Sequence, residues 1–379
     1  MYTSDVRLAY GILAVFIVGC GSDGDAGPGQ TQGSVIELQT GGAHVCVRLT
    51  SGAVRCFGSG AKGQLGYASV EAAPPSTNDV QLGGSATSLS VGDNFTCAVL
   101  DGGGVRCWGD ATSGVLGQGN AQAIGDDETP ADAPLLDLPV AKQVAAGQEH
   151  ACALLEDGSV RCWGAARFLG TKAQQNIGDD ETLSATQSVD LGDRATEICA
   201  GFFHTCALTE TGSVFCWGGD SPGPLGKGGM LVGVTDTPRE AGAVELPGPA
   251  SGVFCGFLST CAELADGLYC WGEQNGSSDP DATAPVGPWF SGGVMDCAGG
   301  RDFQCALQSS GDLSCWSVRG SNLVAKSLPD SASPLDFGVP MTSLSAARAS
   351  ICGVTSYGTA RCLGGVPEGV ENGKDIHVE

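Results

Sequence analysis

Charged side chains are scarce in this 379-residue chain, and basic ones are the scarcest. Only 16% of the residues are charged, and 18 Lys and Arg stand against 42 Asp and Glu, for a formal net charge of −24. Because an anionic surface repels phosphate, this balance argues against a nucleic-acid backbone or an anionic lipid face as ligand. No C-x-x-C motif occurs among the 18 cysteines, so the short spacing typical of metal-cluster sites is missing. No apolar run reaches the roughly 20 residues of a membrane-spanning helix.

Glycine and proline are abundant instead. The chain has 61 Gly and 18 Pro, and 42% of its residues are apolar. This composition excludes a coiled coil and argues against wholesale disorder. The length fits two or three ordinary domains or one large barrel or propeller.

The N-terminus carries the features of an export signal. An apolar run over residues 8–18 has the length of a signal-peptide core. It ends in Ile17-Val18-Gly19-Cys20, which resembles the lipobox of bacterial lipoproteins. The resemblance implies a signal peptide at 1–19 and acyl chains such as palmitate on Cys20; an ordinary cleaved signal with a free Cys20 is the alternative. Residues 20–33 lack large apolar side chains, which predicts a flexible tether, and the implied location is the bacterial cell envelope (outer membrane or cell surface in a Gram-negative cell).

Fourteen cysteines form seven pairs at one repeated spacing. Nine residues separate the partners in six pairs and eight in the seventh, and the first cysteines of successive pairs lie 44 to 55 residues apart. This period is typical of propeller blades. The pairs are Cys46 with Cys56, Cys97 with Cys107, Cys152 with Cys162, Cys206 with Cys216, Cys261 with Cys270, Cys305 with Cys315, and Cys352 with Cys362.

Each pair brackets a predicted hairpin. Turns such as Asp157-Gly158 lie between two short apolar runs, which is a strong hairpin signal. The two cysteines then face each other across the ladder, close enough for a disulfide after a modest adjustment. Such a density of cysteine is typical of oxidising compartments, so we predict one local disulfide in each unit of an exported protein.

The units resemble the regulator of chromosome condensation repeat. The motifs that carry the likeness are Trp-Gly after the second cysteine and Gly-x-Leu-Gly at 63–66 and 114–117. The likeness is specific in the first four units and fades in the last three, where Leu363 replaces the tryptophan. It implies an all-β, seven-bladed β-propeller over 34–379. Family propellers close by pairing strands from both termini in one blade, which makes 34–38 and 375–379 the expected closing strands.

Three further cysteines precede the paired ones in units four to six: Cys199, Cys255 and Cys297. We expect them on the innermost strands of adjacent blades. A bridge between blades, from Cys255 either to Cys199 or to Cys297, is one interpretation. Buried thiols that pack as small apolar side chains are the other.

Several polar patterns have a functional and a plain interpretation. His44, His150 and His204 recur in one slot, but Phe95 and Phe303 fill the same slot elsewhere, which favours inter-blade packing over a metal site. The acidic stretches 125–129 and 178–182 lack the spacing of a known calcium loop, so we interpret them as solvated loops. The motifs G-x-G-x-x-G at 58–63 and G-x-S-x-G at 219–223 lack the helix that phosphate binding or a nucleophile elbow requires.

The leading functional hypothesis is a non-catalytic, envelope-anchored lipoprotein whose propeller loops bind a protein partner. It implies a monomer without cofactor or metal, held to the membrane through its lipid alone, and it has a family precedent in a secreted inhibitor of β-lactamases. Nucleotide exchange, known in the family, requires a basic face and an inserted wedge that this chain lacks. A carbohydrate-binding propeller using Trp289 is the alternative, and a hydrolase using Ser221 is a third possibility.

Overall fold

The computed structural model describes residues 33–75, 78–219, 223–227, 231–272, 284–290, 293–316, 333–334, 337–365 and 372–376. All of them belong to one compact unit, Gly33–Glu379. Residues 1–32, which include the predicted signal peptide, Cys20 and most of the tether, lie outside the described residues, and so does Ser221.

The described chain forms seven antiparallel sheets, one for each sequence unit. The first four have three strands each: β1 Val35–Thr40, β2 His44–Leu49 and β3 Val54–Gly58; β4 Ala86–Val91, β5 Phe95–Leu100 and β6 Val105–Gly109; β7 Ala141–Ala146, β8 His150–Leu155 and β9 Val160–Gly164; β10 Ala195–Ala200, β11 His204–Thr209 and β12 Val214–Gly218.

The last three sheets have a short fourth strand at the outer edge: β13 Ala250–Cys255, β14 Ser259–Leu264, β15 Gly267–Gly272 and β16 Val286–Trp289; β17 Val294–Gly299, β18 Gln304–Gln308, β19 Leu313–Trp316 and β20 Ser333–Pro334; β21 Met341–Ala347, β22 Ser350–Thr355, β23 Ala360–Gly364 and β24 Asp375–Ile376. The described helices are one α-helical turn, α1 Pro238–Ala241, and four 3-10 turns at Thr112–Gly114, Pro130–Asp132, Ala166–Phe168 and Leu183–Ala185. Among the described residues, no helix is long and apolar enough to cross a bilayer.

The seven sheets close into a ring. The first strand of every sheet contacts the first strand of the next, and β21 contacts β1. These inner strands therefore surround a central channel, and the predicted seven-bladed β-propeller is confirmed.

The hairpins follow from the local sequence. In blade 3, Asp157 Oδ1 accepts hydrogen bonds from the N–H of Ser159 (2.9 Å) and from its hydroxyl (2.6 Å). Gly158 supplies the positive φ of +82° that the turn requires. Cys152 then lies directly opposite Cys162 in the register, as the predicted hairpin demands.

One local disulfide joins the middle strand of every blade to the strand that follows it. The Cα–Cα distances are 4.0 to 4.1 Å in all seven bonds. The bonded partners are those that the spacing indicates, with Cys46 bonded to Cys56, Cys97 to Cys107, Cys152 to Cys162, Cys206 to Cys216, Cys261 to Cys270, Cys305 to Cys315, and Cys352 to Cys362.

The interface between blades is the main apolar core. The tryptophan that follows the second cysteine is fully buried in blades 2 to 5, at Trp108, Trp163, Trp217 and Trp271. The last glycine of each Gly-x-Leu-Gly loop lies against the tryptophan of the next blade, as Gly66 lies against Trp108. The repeated Gly and Trp are therefore two halves of one inter-blade contact.

The predicted closure of the ring is wrong. Strand β1 is the inner strand of blade 1, whereas β24 is the outer strand of blade 7, so the two terminal strands do not share a sheet. The physical reason is that each sequence unit coincides with one blade and begins at that blade's inner strand. No blade is therefore left to be completed by strands from both termini. The first and last blades are joined instead by side-chain and backbone hydrogen bonds, among them Thr40 N to Ser345 Oγ (3.0 Å) and Val35 N to Gly358 O (2.8 Å).

Candidate functional site

The channel wall is polar and encloses a cavity of about 280 Å³. Acidic side chains on the inner strands accept hydrogen bonds from the backbone of the next inner strand. Glu37 Oε1 accepts from Leu89 N (3.3 Å), and Asp296 Oδ2 accepts from Leu344 N (2.8 Å). These carboxylates join neighbouring blades, because each accepts from a backbone N–H group on the inner strand of the next blade.

Burial raises the pKa of the carboxyl groups in the channel wall. Burial, with a smaller contribution from the nearby Asp296 and Glu263 carboxylates, raises the pKa of Glu197 to about 7. Burial likewise raises the pKa of Asp296 to about 6 and raises that of Glu37. Near neutral pH the Glu197 carboxyl is therefore partly protonated, and the channel carries less negative charge than its composition indicates.

The recurring histidines are inter-blade hydrogen-bonding residues. His150 Nε2 lies 2.8 Å from Thr205 Oγ1 of the next blade, and His44 and His204 make the same contact with a threonine at 2.9 Å. All three rings are fully buried, and they lie in three different blade interfaces and do not converge on one point. This is the packing interpretation of the sequence pattern.

Replacing His150 with Phe is expected to weaken the acid dependence of stability. Burial lowers the pKa of His150 to about 4, so below pH 6.5 the unfolded chain binds a proton at this residue that the folded chain does not. The contribution of His150 to the free energy of unfolding is therefore fully present above pH 6.5. It decreases toward pH 4, by up to about 1.4 kcal/mol per pH unit.

The unfolding free energies of the wild type and His150→Phe, measured in denaturant between pH 7.5 and 5, test this. Phenylalanine fits the slot, as Phe95 and Phe303 show in other blades. We expect parallel curves above pH 7 and a shallower decrease in the variant between pH 6 and 5. Identical slopes in that interval would mean that His150 is not buried in its neutral form.

The three extra cysteines lie on inner strands, as expected. The structure joins Cys199 of β10 to Cys255 of β13, with a Cα–Cα distance of 5.5 Å. Cys297 on β17 is a buried free thiol, and Gln304 Nε2 donates to its Sγ at 2.9 Å. Burial raises the pKa of Cys297 to about 12, so this thiol is not poised for nucleophilic chemistry.

The two acidic loops lie where one blade meets the preceding one. The carboxylates of Asp126, Asp127 and Glu128 lie within 4.8 Å of one another, and those of residues 179–181 do the same. Burial and the neighbouring Asp127 raise the pKa of Glu128 to about 7. Such surface clusters are common without a cation, so solvated loops remain our interpretation. A third group, His204 with Cys206 and Cys255, has both sulfur atoms in disulfides.

The seven turns that connect inner to middle strands meet at one mouth of the channel. They are joined in sequence by backbone hydrogen bonds such as Gln148 N to Phe202 O (2.9 Å), Phe202 N to Phe257 O (3.0 Å) and Arg301 N to Arg348 O (2.7 Å). Each turn contributes one residue at the equivalent sequence position. In blade order these are Gly42, Asp93, Gln148, Phe202, Phe257, Arg301 and Arg348.

Aromatic rings run across one side of the mouth. We call Phe168, Phe203, Phe202 and Phe257 the aromatic strip; successive ring centroids lie 5.6, 4.6 and 4.2 Å apart. Phe168 is buried, whereas the other three are partly exposed. Beside them lies a groove of about 500 Å³ that Leu258, Arg301 and Arg348 also line.

The side chain of Arg348 reaches across the mouth to Asp93, and we call this ion pair the clasp. Arg348 Nη2 donates to Asp93 Oδ1 of blade 2 at 2.8 Å, and its guanidinium lies 5.8 Å from the centre of the Phe202 ring. Arg348 has a positive φ of +37°, which is unfavourable for a residue with a side chain and often marks functional positions. The clasp crosses blade 1 at Gly42, where a Cβ would collide with Asp93 Oδ1.

Sequence reasoning missed this mouth. The signal was present in the residue four positions before the first paired cysteine of each repeat, which changes from Gly, Asp and Gln to Phe and then to Arg along the seven repeats. The predicted sugar platform is not favoured by the structure: Trp289 is only partly exposed, its indole nitrogen is buried, and every other described tryptophan is buried.

Seven three- or four-stranded sheets in a closed ring define a β-propeller protein. A sequence profile of the regulator of chromosome condensation (RCC1) repeat matches residues 86–115, 141–168 and 195–221, which fall in blades 2, 3 and 4. Blades 2 to 4 therefore carry RCC1 repeats within a propeller fold, and the resemblance that the sequence repeats indicate is confirmed.

Known proteins share the repeat or the fold. The ultraviolet-B receptor UVR8 of Arabidopsis thaliana is 30% identical over 299 residues, which cover 74% of this chain and 64% of that protein. The human E3 ubiquitin-protein ligase HERC2 is 26% identical over 233 residues, only 5% of its length. The chain thus spans less than two thirds of these relatives.

Among solved structures, yeast RCC1 (Prp20) bound to Kap60 gives a TM-score of 0.68 at 18% identity, covering 95% of this chain and 91% of that one. Human WBSCR16 gives 0.69 at 17% identity, covering 85% and 92%. At these identities the likeness shows the fold.

Proposed function

We propose that this propeller is a non-catalytic recognition module of the bacterial cell envelope that binds a protein partner at the mouth carrying the aromatic strip. The observation that carries the proposal is the run of partly exposed rings at Phe202, Phe203 and Phe257. In the first two blades the equivalent turn residues are Gly42 and Asp93, so the aromatic character belongs to one side of the mouth.

The chemistry of the mouth is that of a protein interface. Aromatic and arginine side chains are enriched at protein–protein contacts and supply most of their strongest single contributions. The aromatic strip and Arg348 bring both types together within 5.8 Å. Yeast RCC1, which shares the fold, binds the protein Kap60, and this supports protein recognition on the same scaffold.

The channel carboxyls support binding rather than catalysis. Asp296 accepts hydrogen bonds from two backbone N–H groups, those of Leu344 and Cys297, both at 2.8 Å. A general base needs a free lone pair directed at a substrate proton. Asp296 Oδ2 instead accepts from Leu344 of the next blade, and its Oδ1 accepts from the adjacent backbone N–H of Cys297. We therefore propose no reaction and no cofactor for the channel.

The anchor is the second part of the proposal. A lipidated Cys20 followed by a tether would hold the propeller near a membrane by acyl chains, which contribute about 0.8 kcal/mol per buried CH₂. Its support is the lipobox-like sequence 17–20, and the membrane would then be contacted through the lipid alone.

Affinity capture with the full-length chain from its native cell tests both parts. Wild type is expected in the membrane fraction with a stoichiometric protein partner, and Cys20→Ala in the soluble fraction. The double variant Phe202→Ala/Phe257→Ala is expected to recover at least about tenfold less partner, since truncated interface anchors commonly cost 2 kcal/mol or more. It should remain folded because both rings are partly exposed.

Tyr357→Ala is the matched control. This tyrosine is 74% exposed and lies in a hairpin after β22, at the opposite end of its blade. Equal recovery by the double variant and the control would refute the mouth as binding site. Recovery of glycan without protein would replace the proposal with the carbohydrate-binding alternative.

A further inference from the structure

The groove beside the aromatic strip is also lined by the charged residues Arg301, Asp302 and Arg348. This inference rests on the proposed function and defines the chemistry of what binds there. We infer that the partner presents a carboxylate next to an apolar side chain, so that the carboxylate meets Arg301 and Arg348 while the apolar group enters the groove beside Phe257.

The accessible charge at the groove is positive although the whole chain is strongly acidic. The side chain of Arg348 is 52% exposed, whereas that of its ion-pair partner Asp93 is only 11% exposed. Arg301 is exposed, and Asp302 beside it is partly buried. An incoming group therefore meets guanidinium before it meets carboxylate. This local charge is the reverse of the formal net charge of −24.

Arg348 has donors left for a ligand. Within the described part of the chain, its side chain makes a single hydrogen bond, from Nη2 to Asp93 Oδ1. A guanidinium has five N–H donors arranged to bind a carboxylate at two points. A second carboxylate can therefore bind without displacing Asp93, and the clasp fixes the guanidinium beforehand. This preorganisation lowers the entropy lost on binding.

The apolar side of the groove has room for a large side chain. Its volume of about 500 Å³ lies within the ordinary range of ligand pockets. Phe202 and Phe257 stack at 4.2 Å and form a rigid wall, with Leu258 as a further apolar neighbour. An aromatic or branched aliphatic side chain next to the carboxylate matches this geometry.

The alternative is a basic segment inserted into the channel. The channel carboxyls do not favour it, because Asp296 already accepts two backbone hydrogen bonds and burial keeps Glu197 partly protonated near neutral pH. A basic side chain would also have to pass Arg348 at the mouth.

Selection of random dodecapeptides displayed on phage, with the full chain as target, tests the chemistry. Selection on wild type is followed by removal of phage that bind the Phe202→Ala/Phe257→Ala variant. We expect the surviving sequences to share Asp or Glu adjacent to Phe, Trp, Leu or Ile. A synthetic peptide of the commonest sequence is expected to bind Arg301→Gln/Arg348→Gln at least about tenfold more weakly and to lose most of its salt dependence, because it loses a two-point ionic contact.

Arg194→Gln/Arg239→Gln is the charge-matched control, because Arg194 pairs with Glu210 and Arg239 with Asp190 in exposed ion pairs near the hairpin end of blade 4. This variant is expected to bind the peptide as the wild type does. Selected sequences that are basic, or affinity unchanged in Arg301→Gln/Arg348→Gln, would overturn the inference and leave a protein-binding mouth in place. If no selected peptide depended on Phe202 and Phe257, the inference would fail, and capture of the native partner would decide the proposed function separately.

Discussion

Gly170→Ala is expected to lower the free energy of unfolding by about 3 kcal/mol. Gly170 has a φ of +73°, and an added Cβ would lie 2.7 Å from Trp217 Cδ1 of the next blade. A left-handed conformation costs a residue with a side chain about 1–2 kcal/mol. Overpacking a buried contact costs a further 1–3 kcal/mol or so, because the fully buried Trp217 has no space into which to move.

Gly102→Ala separates the two contributions. Gly102 has a φ of +88°, but an added Cβ would have no atom within 4 Å, so only the backbone cost of about 1 kcal/mol applies. Both variants are compared with wild type by guanidinium unfolding followed by tryptophan fluorescence. Equal losses in the two variants would show that the glycine is required for its turn alone and not for contact with Trp217.

This contact shows which part of the fold the sequence could specify. The cysteine spacing and the Asp-Gly turns are local, so Cys152, Cys162 and the turn at Gly158 were predictable from a few residues each. The Gly-x-Leu-Gly motif identified the repeat without revealing its role, because its last glycine contacts the tryptophan of the next blade, as Gly66 contacts Trp108, 42 residues further along the chain. Gly170, which follows Leu169 in the third unit, makes the same contact with Trp217.

The ring closure and the mouth were not predictable for the same physical reason. Whether 34–38 pairs with 375–379 depends on which strand of a blade begins each sequence unit. The cysteine spacing gives the length of the unit but not the strand at which it begins. The mouth requires turns from all seven blades to converge, which places Arg348 beside Asp93 across 255 residues of sequence. A repeat alignment identifies equivalent residues but not which of them contact each other.

Removing the inter-blade disulfide is expected to have a larger effect than Gly170→Ala. Cys199 and Cys255 are 56 residues apart, and in the chain-entropy model a bond closing a loop of this size stabilises by about 4 kcal/mol. The same model gives about 3 kcal/mol for a local bond such as Cys152–Cys162, whose partners are 10 residues apart. The double variant Cys199→Ala/Cys255→Ala should therefore lose about 4 kcal/mol in guanidinium unfolding.

Cys297→Ala is the control that decides between the two pairings open to the sequence. Cys297 is a buried thiol that accepts one hydrogen bond, from Gln304, so its replacement should cost about 1 kcal/mol. If Cys255 were bonded to Cys297 instead, Cys297→Ala would be as damaging as the double variant, and Cys199→Ala alone would be mild.

The same bond should also support recognition at the mouth. It links the inner strands of blades 4 and 5, whose turns carry the stacked rings of Phe202 and Phe257. Loss of the bond frees these two turns to separate, so the double variant Cys199→Ala/Cys255→Ala should capture less partner under conditions where it is still folded. A double variant that lost about 4 kcal/mol yet bound its partner normally would show that the aromatic strip is held by packing alone.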